Sequence, residues 1–136
     1  MIPALRHWLH ARQHPFRYAQ LDRLLRNQAL SREAVLKKRQ DDLAGIVAHA
    51  CQHVPYYRER FAGLDGAAFH DLPILTKEAV ASRLDDLLSD DADRAQVKLG
   101  HTGGSTGKPL AFWYDQAKHE LMRAGMMRSY MLSGWR

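Results

Sequence analysis

Residues 101–109 read HTGGSTGKP and gather more chemistry than any other stretch of this chain. Gly103, Gly104 and Gly107 open backbone conformations closed to other residues and let main-chain amides approach a ligand closely. Ser105 and Thr106 add hydroxyl donors, and Lys108 adds a mobile point charge ahead of Pro109. Donors arranged around one cation suit an anion with several oxygens, most economically a polyphosphate. Spacing then excludes the common nucleotide loops. A Walker A loop has four residues between its glycines, follows its lysine with Ser or Thr and opens a helix. Here three residues separate Gly103 from Gly107, Pro109 follows the lysine, and the next run favours strand. The G-x-G-x-x-G pattern of kinase and dinucleotide loops is absent.

Such a loop needs elements to hold it. Residues 96–102 (QVKLGHT) alternate as a strand, and residues 110–114 (LAFWY) form a second β-favouring run, so the loop joins two strands. Asp115 then caps a helical segment, QAKHELMRAGMMRSYML. Upstream, residues 4–12 place Leu5, Trp8, Leu9 and Arg12 at helical spacing, and the His14-Pro15 step ends that element. A short amphipathic helix of this kind is expected to pack on the body of its own protein rather than on a membrane or partner. A second short helix is expected over residues 18–27. Ser31 is the natural N-cap of a longer helix reaching about His53, with Val35, Leu36, Leu43, Ile46, Val47 and Ala50 as its apolar stripe. Val54-Pro55 ends it, and YYRERFAGLDG adds a further turn or two before Gly63 and Gly66. Thr76 caps another helix with Glu78 in its first turn, and Leu84, Leu87 and Leu88 extend its apolar stripe.

Composition bounds the whole. The 136 residues suffice for one core and carry 46% hydrophobic and 26% charged residues, ordinary values for a folded domain. No run approaches the length of a membrane span, and Arg6, His7, His10 and Arg12 break the opening segment, so a cytoplasmic protein is expected. A single cysteine, Cys51, permits no internal disulfide. The net charge of +5 is concentrated at the front, where residues 1–60 hold 11 Lys and Arg against 5 Asp and Glu. The cluster Lys37, Lys38 and Arg39 is followed at once by Asp41 and Asp42 and lacks interleaved aromatics, so it reads as a solvated helix face and no nucleic-acid partner is expected. His49 and His53 share a helix face, but Cys51 projects elsewhere, which leaves two metal ligands; Asp90, Asp91 and Asp93 read as a solvated loop. No metal ligand is assigned.

Three motifs in order, HVPYYRERF (53–61), LPILTKEAV (72–80) and TGGSTGKPL (102–110), resemble the adenylate-forming superfamily of acyl-CoA synthetases and luciferases. The likeness is to its phenylacetate-CoA ligase-like branch, which includes members associated with capsular polysaccharide clusters. It covers roughly residues 40–136 and leaves residues 1–40 an unassigned helical lead. The resemblance implies an α/β enzyme, α+β over this chain alone, with N-terminal helices, a strand-loop-strand at 96–114 and a following helix. It further implies that a carboxylate attacks MgATP to give an acyl-adenylate, and that a thiol such as coenzyme A then takes the acyl group. Thr102, Gly103, Gly104, Ser105, Thr106, Gly107 and Lys108 would then hold the β- and γ-phosphates as positioners and charge stabilisers, with no residue here acting as nucleophile or base. Gly103 stands where the family often has Ser. Family members run far beyond this segment, so the chain is expected to be the N-terminal part of a ligase and inactive alone. The residues leave two other readings standing: a free-standing phosphate-binding module, and a basic interaction protein whose glycine loop is only a tight connection. The carboxylate, the acceptor and the oligomeric state are not legible.

Overall fold

Prolines and short polar caps punctuate the chain into its elements. The computed structural model describes residues 3–64, 69–103, 107 and 109–134. These contain α1 (Pro3–Gln13), α2 (Pro15–Asn27), α3 (Arg32–His53), α4 (Pro55–Arg60), α5 (Lys77–Ser82), the strands β1 (Lys98–His101) and β2 (Ala111–Tyr114), and α6 (Gln116–Leu132). The two strands pair antiparallel as one sheet. Helices, then a hairpin, then a helix make a mixed helix-and-strand chain, as the sequence implies.

The boundaries follow local chemistry. Pro15 ends α1 and also begins α2, because a proline lacks the amide that a first helical position leaves unused. The second helix therefore starts three residues ahead of the expected Tyr18. Ser31 Oγ accepts the amide of Ala34 at 3.2 Å, Thr76 Oγ1 that of Ala79 at 3.2 Å, and an Asp115 carboxylate oxygen that of Lys118 at 2.6 Å. All three expected caps are in place, each satisfying an amide the first turn leaves without a partner. After α5, however, the chain tightens into a 3₁₀ turn at Asp85–Leu87, so Leu84, Leu87 and Leu88 do not continue one helical stripe. Only Leu88 of the three is buried.

The chain forms two compact units. One comprises Met1–Lys37 with Asp115–Arg136, the other Lys38–Tyr114. In the first, α2 packs on α6 and buries Leu21 and Ala124. Arg17 and Glu120 are buried in this unit too, with Nε donating to Oε2 at 2.8 Å and Nη2 to Oε1 at 2.9 Å. This two-point fork closes a separation of 103 residues. The α1 helix joins through His10 Nδ1 and the Tyr18 hydroxyl, 2.9 Å apart. Its apolar residues Leu5, Trp8 and Leu9 stay exposed, which corrects the expectation that this face packs on the protein's body.

Among the described residues of the second unit the buried apolar ones are Val54, Tyr56, Val80 and Leu88. Arg83 ties the unit together: it donates to Glu59 at 2.6 Å and to Asp86 at 2.8 Å, and its guanidinium lies 5.1 Å from the Tyr56 ring centre. No residue of α3 is buried, and Val35, Leu36 and Ile46 are exposed. The periodicity that locates this helix does not locate a core along it. Lys38 pairs with Asp42 at 2.8 Å one turn on, in keeping with a solvated basic face.

Candidate functional site

The hairpin builds the site from its strands upward. Lys98 faces Tyr114, Leu99 faces Trp113, Gly100 faces Phe112 and His101 faces Ala111. One further rung extends the ladder: the Thr102 amide donates to the Leu110 carbonyl at 2.9 Å, and the Leu110 amide donates to Thr102 Oγ1 at 3.0 Å. A main-chain bond and a side-chain bond thus close the base of the seven residues 103–109. The Thr102 hydroxyl accepts here and keeps its own proton to donate. The α5 helix packs on β2, backing the hairpin with a capped helix.

Thr102, Gly103 and Gly107 are exposed, so the loop's edges face solvent. Gly104, Ser105, Thr106 and Lys108 lie outside the described residues. Among the described residues a side chain at Gly103 or Gly107 would meet nothing within 4 Å, and Gly103 does not take a left-handed backbone. Packing among the described residues therefore does not demand glycine at these two positions. Bare backbone there leaves room for something outside it.

Among the described residues, packing bears most closely on a glycine that the sequence did not single out. At Gly100 a Cβ would stand 2.9 Å from Phe112 Cζ and 3.1 Å from Tyr114, so these rings lie over bare backbone. Phe112 and Tyr114 have ring centres 6.1 Å apart. Glycine flanked by aromatics on the facing strand was the available signal.

A second constellation departs from the sequence reading. His49 and His53 lie one turn apart on α3, and Asp91 comes beside them, so that one potential ligand atom from each lies within 4.8 Å of the others. Three groups meet where the sequence offered two. His53 Nδ1 is 3.9 Å from Asp91 Oδ2, and Ser89 Oγ donates to Asp91 Oδ1 at 2.5 Å. The Ser89 bond, with help from the charges of His53 and His49, holds the Asp91 carboxyl below its usual range. Cys51 is half-buried and takes no part.

No family, curated protein or solved structure was found to match this chain. Among the described residues no helix is long and apolar enough to cross a membrane.

Proposed function

We propose that this chain is the N-terminal part of an ATP-dependent acid-thiol ligase of the phenylacetate-CoA ligase-like kind, with residues 102–108 as its phosphate grip. The observation that carries the reading is the hairpin: a glycine-, hydroxyl- and lysine-bearing segment is held at the end of two paired strands, its base closed by Thr102 and Leu110. Donors presented from a base closed in this way would start from a defined position beside an anion. Thr102, Gly103, Gly104, Ser105, Thr106, Gly107 and Lys108 would hold the β- and γ-phosphates of ATP, with Mg2+ and coenzyme A engaged by parts of the enzyme outside these residues. Apolar side chains left in solvent add support, because Ile46, Phe69, Ile74 and Leu132 are 65%, 60%, 86% and 68% exposed and suit coverage by further protein.

The test is carried out on the protein as its native cell makes it, captured by an antibody to residues 1–60. A product several-fold heavier than 15.6 kDa that exchanges pyrophosphate into ATP in the presence of a carboxylate is the expected result. Lys108→Ala should lower that exchange by about a hundredfold with an unchanged thermal midpoint. A native product of 15.6 kDa that neither exchanges pyrophosphate nor binds ATP would overturn the reading.

A further inference from the structure

The cluster at the end of α3 is independent of the loop and of the ligase reading. We infer that His49, His53 and Asp91 form a three-ligand site for a divalent transition-metal ion, Zn2+ being the best fit, with water completing the coordination. Two imidazoles and one carboxylate make a borderline donor set that favours zinc over magnesium or calcium, which prefer all-oxygen surroundings.

Geometry supports the assignment at three levels. The histidines stand at i and i+4 with ring centres 4.9 Å apart and planes tilted by 32°, so both rings point along one face. A tetrahedral zinc with bonds of about 2.0–2.1 Å needs its ligand atoms about 3.3 Å apart. The 3.9 Å between His53 and Asp91 and the 4.8 Å limit for the whole set leave contractions of about 0.6 to 1.5 Å, within reach of rotamer adjustments at exposed and half-exposed side chains.

The supporting residues hold the third ligand in place. Ser89 donates to one Asp91 oxygen and leaves the other turned toward His53. It also lies 3.3 Å from His49 Nε2, so one hydroxyl touches two of the three ligands, as outer partners of metal ligands do. The main chain is anchored as well: the Asp90 amide donates to the His53 carbonyl at 2.6 Å. Arg58 binds both the Asp90 carboxylate and the Gln52 carbonyl. Asp90 is thereby committed to an arginine, and Asp91 remains to face the histidines. An ion here would staple the C-terminal end of α3 to the segment that leads into β1.

The experiment is calorimetric titration of the full chain with Zn2+, alongside Co2+ absorption to report geometry. One Zn2+ per chain is expected, with a cobalt spectrum of tetrahedral intensity and a thermal midpoint that rises with added zinc. His53→Gln and Asp91→Asn should each weaken binding by about a hundredfold, and Ser89→Ala by about tenfold. Cys51→Ser should leave it unchanged, since Cys51 takes no part in the cluster. Absence of stoichiometric binding by the folded chain would overturn the site, and so would Asp91→Asn binding zinc as tightly as the parent. These substitutions are of exposed or half-exposed side chains, and far-UV circular dichroism checks that each variant keeps its helices.

Discussion

Gly100 and Thr102 sit two residues apart and do opposite work on the hairpin. Gly100 gives way to aromatic rings, whereas Thr102 reaches across to hold the returning strand. Gly100→Val should destabilise the second unit by about 1–3 kcal/mol, because Phe112 and Tyr114 must move from rotamers that the missing side chain permits. The urea midpoint checks this, and Gly100→Ala should fall between parent and valine. Thr102→Val keeps the shape of the side chain and removes its oxygen. The Leu110 amide then loses its acceptor, at a cost of about 1 kcal/mol. Amide exchange at Leu110 should accelerate in Thr102→Val and stay slow in Thr102→Ser. The latter outcome separates a hydrogen bond from a preference for a β-branched residue.

At the scale of elements, α2 and α6 are joined by a charge pair embedded in a small apolar contact. The Arg17 hydrogen bonds lead in holding the Glu120 carboxyl below its ordinary value of 4.5, with Arg17 and His14 adding attraction and Gln116 a further bond. A folded-state pKa lowered in this way means that the unfolded chain takes up its proton first as acid is added. The stabilisation is complete above pH 4.5 and is lost as pH falls through the folded-state value. Glu59, Glu78, Asp91 and Asp93 are lowered too, so several carboxylates contribute to the acid limb. The difference between parent and Glu120→Gln isolates one of them: the variant should lose less stability between pH 5 and pH 3, measured by urea unfolding at each pH. Arg17→Met should cost about 1–3 kcal/mol near neutrality, because it leaves the carboxylate with only Gln116 and His14 beside it. Arg17→Met combined with Glu120→Leu should recover most of that loss, since no buried charge remains.

At the scale of the whole molecule, the apolar side chains outnumber the places that bury them. Six apolar residues are buried among those described, while Trp8, Ile46, Phe69, Ile74 and Leu132 face solvent. A chain with this surface should bind a hydrophobic dye such as anilinonaphthalene sulfonate while still folded. Ile46→Lys together with Ile74→Lys should reduce that signal and change stability by less than about 0.5 kcal/mol, since neither side chain is packed. A large loss of stability in that variant would show that these residues are already part of a core.

The sequence by itself determined which elements form and where most of them are capped, though not the start of α2 or the 3₁₀ turn after α5. Ser31, Thr76 and Asp115 each cap the helix expected of them, and Pro15 and Pro55 divide helix from helix, because capping and proline act within a few residues of chain. That two strands flank the loop was legible for the same reason, the runs 96–102 and 110–114 being joined by a short loop, and the pairing forms over 98–101 and 111–114. Tertiary structure alone decided what lies far apart in sequence. It placed Glu120 on Arg17, laid two aromatic rings over Gly100, left the stripe of α3 exposed at Val35, Leu36 and Ile46 and only half-buried elsewhere, and brought Asp91 to His49 and His53 from a run of aspartates that reads as loop. Periodicity records that one face of a helix is apolar and says nothing of what meets it. Which face is covered, and which three side chains converge, depends on contacts between segments that no local preference encodes.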